Sequence, residues 1–228
     1  MTSEHPPRGL RGHRVQNVEI AEDKRRALVL AAARVFAQRG YWSTSLDQVA
    51  DELGWTKGAI YYYFASKEDL FLEIQSRSLT EATARLDSVV AAGGSPDVLV
   101  RRVLAGLIHN IVHGLDRYAV LLTEAHVLSE QNRLKMRDLQ RRFEATVQAI
   151  VEQGIREGRF VAGNPKLMTF TLLRGSLGVA DWFNPDGAWP SETIVESVTD
   201  QLLRGILVPG LVLARDLGHD GLPSEASQ

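Results

Sequence analysis

The sequence predicts an all-α protein of about nine helices: an N-terminal three-helix domain, then a larger helical domain. Apolar residues recur at three- and four-residue spacing through most of the chain, the period of one helical face. Residues that start helices (Ser45, Thr56, Ser66, Ser95, Asn164, Ser191) stand just before those stretches, and Gly40, Gly54, Gly93 and Gly158 just after them. No run shows the apolar/polar alternation and flanking turns of a strand.

Residues 1–20 carry Pro, Gly, His and Arg without periodicity and read as a mobile basic arm. Arg8, Arg11 and Arg14 suit either a solvated tail or insertion into a minor groove. Glu22 to Arg39 reads as a helix with Ala27, Leu30, Ala31, Val35 and Phe36 on one stripe, and Gly40 ends it.

The stretch SLDQVADELGWTKGAIYYYF, Ser45 to Phe64, reads as two short helices with a tight turn. Ser45 caps the first, and Gln48 stands where a capping box needs it. Gly54 takes the left-handed position after it. Thr56 caps the second helix, on which Ile60 and Phe64 face inward and Lys57, Tyr61 and Tyr62 outward. This is a helix-turn-helix whose second helix has the recognition role.

A long helix is expected from Ser66 to about residue 91, with Leu70, Ile74, Leu79, Ala82, Leu86 and Val89 inward. Ser95-Pro96-Asp97 restarts the chain, followed by helices to His113, from Asp116 to about Leu128, and from about Asn132 to Glu157. The last of these buries Met136, Phe143, Val147, Ile150 and Val151. Lys166 to Phe183 is apolar almost all round, which predicts burial on most sides. The final helix opens at Ser191 and ends near Pro209-Gly210, with Ile194, Val195, Val198, Leu202, Leu203 and Ile206 on one face. The domains expected are therefore 21–67 and 68–215, between the arm and a tail at 216–228.

Composition narrows the function. The 228 residues are 44% hydrophobic and 24% charged, ordinary for a soluble globular protein. Absence of cysteine excludes disulfides and thiolate metal sites and suits a reducing, cytoplasmic setting. No apolar run of roughly 18 residues suggests a membrane span. The net charge of −2 divides unevenly: residues 1–67 hold ten Lys/Arg against seven Asp/Glu, and the remainder sixteen against twenty-one. The positive part coincides with the helix-turn-helix, where affinity for phosphates needs it.

TSLDQVADELGWTKGAIYYYFASKEDLF resembles the N-terminal signature of TetR-type transcriptional regulators, and the likeness spans roughly residues 24–72. Leu53 replaces the usual small residue before the turn glycine, and Tyr63 replaces a frequent His. The resemblance implies dimerisation through a four-helix bundle of the two C-terminal helices, where Gly175 and Gly178 permit close approach; the alternative is that both helices pack within one subunit. It also implies backbone contacts from Tyr61 and Lys67. Lys57 and Gly58 open the recognition helix, and Ser45, Thr56 and Tyr62 complete the DNA-binding candidates.

Effector candidates are the polar residues amid apolar helices: His109, His113, Glu124, His126, Arg174 and Asp181, with Trp182 as a pocket wall. His109 and His113 have the spacing of a two-His metal site, but no third ligand accompanies them, so surface or pocket-lining roles compete and no metal or cofactor is expected. Arg174 needs either an internal partner, Glu124 or Asp181, or an anionic ligand. The stretch GIREGRF … DWFNPDG is more loosely similar to TetR members that sense acyl-CoA thioesters in fatty-acid and sterol breakdown. The sequence therefore predicts a homodimeric, effector-released repressor of a palindromic operator. Its rivals are a ligand-independent DNA-binding regulator and, without a visible nucleophile–base pair, a helical enzyme.

Overall fold

The computed structural model describes residues 10–114 and 127–211, with side chains from residue 22 onward. Nine helical segments are present among them: α1 Leu10–Arg39, α2 Leu46–Glu52, α3 Lys57–Tyr63, α4 Lys67–Ala92, α5 Pro96–His113, α6 Glu130–Arg156, α7 Pro165–Leu177, α8 Val179–Trp182 and α9 Ser191–Arg204. Among the described residues the only β pairing is an isolated antiparallel bridge, Phe160 to Leu207. The fold is all-α, as expected. The helix expected over 116–128 lies almost wholly outside the described residues, as do Glu124, His126, Arg8 and the tail.

The chain packs as two compact units, Met1–Glu81 with His113–Gln140, and Ala82–Val112 with Arg141–Gln228. Helices α4 and α6 each contribute one half to each unit, so packing divides the chain inside α4 rather than at residue 67. The first unit is built on Leu28, Ala32, Val35, Phe36, Val49, Ile60, Leu70 and Phe71, all essentially inaccessible. Each large apolar side chain so buried stabilises by roughly 1.5–3 kcal/mol before chain entropy is counted. In the second unit the expected face of α6 is buried, Phe143, Val147, Ile150 and Val151, along with Val100, Leu104 and Ile108 of α5.

Four sequence expectations need correction. Helix α1 begins at Leu10, not Glu22, so residues 10–20 are helical rather than an irregular arm. The sequence there lacks an apolar stripe, but no proline interrupts it and the first glycine after Gly12 is Gly40, so nothing local breaks the helix. The α1 stripe holds at Val35 and Phe36, but before them Leu28, Val29, Ala32 and Ala33 are the buried residues, Leu30 and Ala31 are half-buried and Ala27 is exposed. The helix expected over 166–183 breaks at Gly178 into α7 and α8, and it keeps an exposed face, with Leu167 63% and Phe170 37% accessible. Finally, α9 stops at Arg204, because the following residues pair with the segment after α6: Val161 N–H donates to the Ile206 carbonyl at 2.8 Å and Val208 N–H to that of Arg159 at 3.0 Å.

The two glycines expected to serve a subunit interface act within the chain. A Cβ on Gly175 would lie 2.5 Å from Leu202 Cδ2, so this glycine lets α7 and α9 pack closely. Gly178 caps α7, its N–H bonded to the Arg174 carbonyl at 2.9 Å.

Candidate nucleic-acid interface

The geometry of the helix-turn-helix follows from local capping chemistry. Ser45 N–H donates to Gln48 Oε1 at 2.8 Å, and Gln48 N–H donates to Ser45 Oγ at 3.2 Å, closing the capping box on α2. At the other end Gly54 adopts φ 65°, with Gly54 N–H bonded to the Asp51 carbonyl and Trp55 N–H to that of Ala50. That pair of bonds is a Schellman motif, which reverses the chain within three residues. Thr56 Oγ1 then accepts from Ala59 N–H at 3.3 Å and starts α3.

Buried Ile60 and Phe64 anchor α3 from one side and leave the opposite face in solvent. Tyr61 is 52% and Tyr62 82% accessible, and the Lys57 side chain is also exposed. Gly58 stands on this open face, and no packing among the described residues requires it. A Cβ there would meet no atom within 4 Å, and its backbone is not in the left-handed region. Glycine in a helix costs roughly 0.5–1 kcal/mol relative to alanine, and here it leaves the backbone of α3 open to close approach.

Beside α3 an open cleft of about 640 Å³ is lined by Trp42, Thr44, Ser45, Tyr61, Ser66 and Lys67, among others. Lys67 has a second role here. Its ammonium donates to the carbonyls of Tyr41 and Thr44, both at 2.9 Å, and stands 4.1 Å from the Tyr41 ring centroid. Desolvation holds its pKa below the ordinary lysine value. Two of its three N–H donors therefore fix the turn before α2, and one is left for a phosphate. Lys57 is also engaged: its Nζ lies 2.5 Å from Asp47 Oδ2, and that hydrogen bond raises its pKa.

The cleft thus gathers Ser45, Tyr61 and Lys67; Lys57, Gly58 and Tyr62 belong to the adjoining α3, and Thr56 caps it. Sequence reasoning missed Trp42, 69% accessible at the rim, and the partnership of Asp47 with Lys57. An exposed tryptophan just before a helix cap is a visible signal for the first. A contact ten residues apart across a turn leaves none for the second.

The effector candidates fare differently. His109 is half-buried and His113 exposed on α5; Arg174 on α7 and Asp181 and Trp182 on α8 are exposed. Solvent access removes the need for the buried partner expected of Arg174. Among the described residues no group of three or more His, Cys, Asp or Glu is placed to hold a metal ion. No described helix is long and apolar enough to cross a membrane.

Comparison with known proteins bears on both halves. Residues 28–74 match the model of bacterial regulatory proteins of the tetR family, and residues 93–206 that of the tetracyclin repressor-like C-terminal domain. The HTH-type transcriptional repressor KstR2 of Rhodococcus jostii is 24% identical over 188 residues, 82% of this chain and 92% of that protein. A TetR/AcrR-family regulator from Thermobifida fusca is 33% identical, covering 80% of this chain and 98% of that one, with a TM-score of 0.63. AibR, solved with isovaleryl coenzyme A and operator DNA, has a TM-score of 0.70 at 23% identity, covering 78% of this chain and 97% of that one.

Proposed function

The chain belongs to the TetR family of transcriptional regulators, and on that premise we propose that it is a ligand-released repressor which binds a palindromic operator as a homodimer. The observation that carries the DNA half is α3: a capped helix anchored by Ile60, with Lys57, Tyr61 and Tyr62 exposed and open space at Gly58. Two such helices, one per subunit, enter successive major grooves about 34 Å apart. The neighbouring cleft, with Tyr61, Ser66 and the remaining Lys67 donor, takes the phosphate backbone and fixes register.

Dimerisation through α7 and α9 is supported by exposed Leu167 and Phe170 on α7 and half-buried Val195, Val198 and Leu202 on α9. The effector is a small hydrophobic molecule of the acyl-CoA thioester class, a reading supported by the similarity to AibR, whose structure contains isovaleryl coenzyme A. Because α4 begins at the recognition motif and continues into the second unit, it is the element through which an effector shifts the DNA-reading helices. Effector and operator affinities are then linked reciprocally.

The test is fluorescence anisotropy against a duplex selected from random sequence, with a salt series and a panel of acyl-CoA thioesters. Binding should fall steeply with salt and drop by roughly tenfold or more in Tyr61→Ala, as loss of a positioned backbone contact requires. Gly58→Ala should also weaken binding while the fold becomes no less stable, separating DNA approach from packing. Release by a thioester supports the effector class, and indifference to all of them favours a ligand-independent regulator. Failure to select any preferred duplex overturns the DNA reading.

A further inference from the structure

We propose that Asp47 and Lys57 act as a single reading unit for one G·C base pair in each half-site, the ammonium donating to guanine and the carboxylate accepting from cytosine. The inference rests on the DNA-binding reading above and adds a residue, Asp47, to it.

Asp47 stands in the first turn of α2 and Lys57 in the first turn of α3, and the Schellman turn between the helices brings Nζ and Oδ2 to 2.5 Å. The lysine side chain is 69% accessible and the aspartate 35%, so the pair is displayed at the surface. An exposed ion pair contributes little to stability, and the fold therefore does not explain its presence. The aspartate is also incompletely satisfied: Oδ1 is shielded from solvent and has no hydrogen-bond partner. The outer oxygen, Oδ2, keeps a second lone pair while it accepts from Lys57, and so offers an acceptor to an incoming donor.

The position matches the chemistry. Residues at the start of a recognition helix reach base edges, and Gly58 leaves the space beside Lys57 open. In the major groove guanine presents N7 and O6 as acceptors, and cytosine beside it presents the N4 amino donor. An ammonium with a carboxylate at its side complements that order. An A·T pair keeps the N7 acceptor but puts the adenine amino group where guanine has O6 and the thymine O4 acceptor against the carboxylate, so the ammonium loses one acceptor and the carboxylate contact is repulsive. The carboxylate has a second effect, since it repels phosphates and so lowers affinity for DNA that lacks the matching pair.

The decisive experiment is parallel selection of duplexes from a random library by the wild type, Asp47→Ala, Asp47→Asn and Lys57→Met, followed by anisotropy on operators altered one pair at a time. The wild-type operator should contain one symmetric position restricted to G·C. Asp47→Ala and Lys57→Met should each lose that preference, by roughly tenfold or more, at that same position and nowhere else. Asp47→Asn keeps the shape and should change the same position to a lesser degree. Asp47→Ala should also bind random duplex more tightly than the wild type. Variants that keep every preference, or that lose preferences at different positions, overturn the pairing while leaving the regulator reading intact. A wild type that selects no motif overturns both.

Discussion

The two units differ in how they use charge and what they leave uncovered. In the first, charged side chains tie helices together. Arg25 pairs with Glu73 at 3.0 Å and lies 4.7 Å from the Phe64 ring centroid at the end of the recognition helix. Arg77 reaches Glu22 at 3.0 Å and Glu81 at 3.3 Å. Lys67 holds the turn before α2, and Glu68 accepts from the Ser129 amide at 2.7 Å and from Asn132 at 2.8 Å. Among the described residues the exposed aromatics here are Trp42, Tyr61 and Tyr62, side chains with a polar end, beside one exposed leucine, Leu134 on α6. In the second unit Arg159 pairs with buried Asp97 and Arg101 with Asp200, but α7 leaves leucine and phenylalanine in solvent. The first unit is a braced surface that presents a helix to a rigid ligand with little left to order on binding, which lowers the cost of association. The second keeps apolar side chains of α7 in solvent.

The strongest way to break that contrast is to charge the uncovered face. Leu167→Glu with Phe170→Glu should leave the first unit folded, since neither residue belongs to its core, but should give a monomer in sedimentation velocity. Loss of the second half-site removes the avidity of a linked pair, so operator affinity should fall by about a hundredfold or more. A variant that stays dimeric would show that the exposed face of α7 is not what the partner covers.

A smaller effect tests the bracing. Lys67→Met keeps much of the aliphatic stem but removes two hydrogen bonds from a charged donor, a class typically worth about 1.5–3 kcal/mol when intact. Partial exposure of the side chain points to the lower end of that range. Urea denaturation should show the loss, and operator affinity should drop by more than one phosphate contact accounts for, because the loop carrying Trp42, Thr44 and Ser45 loosens as well. An unchanged midpoint with weaker binding would mean that Lys67 serves DNA alone.

The same contrast explains what could be read in advance. The capping box at Ser45, the turn at Gly54 and the inward pair Ile60 and Phe64 are set by residues within four positions of one another, so the motif was legible. The α6 face was legible for a similar reason, since a regular period needs no knowledge of the partner. The exposure of Arg174 and Trp182 was not legible because the stretch 166–183 is apolar in sequence, and period alone cannot tell which of its faces the chain's own core covers. Asp47 went unnoticed because its partner lies across a turn, and Lys67 was read only as a phosphate ligand because its carbonyl partners are more than twenty positions away. The start of α1 was not legible because residues 10–21 carry no regular apolar stripe in the sequence.

The finest test concerns Glu68, whose carboxylate serves as a cap for α6 supplied from α4. Bonds from the Ser129 amide, the Asn132 side chain and the Ser129 hydroxyl hold its pKa below the ordinary glutamate value. A depressed folded-state pKa means the unfolded chain binds its proton first as pH falls. The contribution is therefore complete above the unfolded value of 4.5 and fades as pH drops through the lower folded value. Glu68→Gln should be less stable than the wild type at pH 7, and thermal melts should show the gap closing below about pH 4.5. A gap that is constant down to pH 3 would mean that shape, not charge, holds α6. Because Lys67 and Glu68 are neighbours, one turn of α4 grips both the loop before α2 and the start of α6. Loosening the second grip should thus shift operator affinity slightly even at pH 7, whereas an exposed charge without such a role would leave it unmoved.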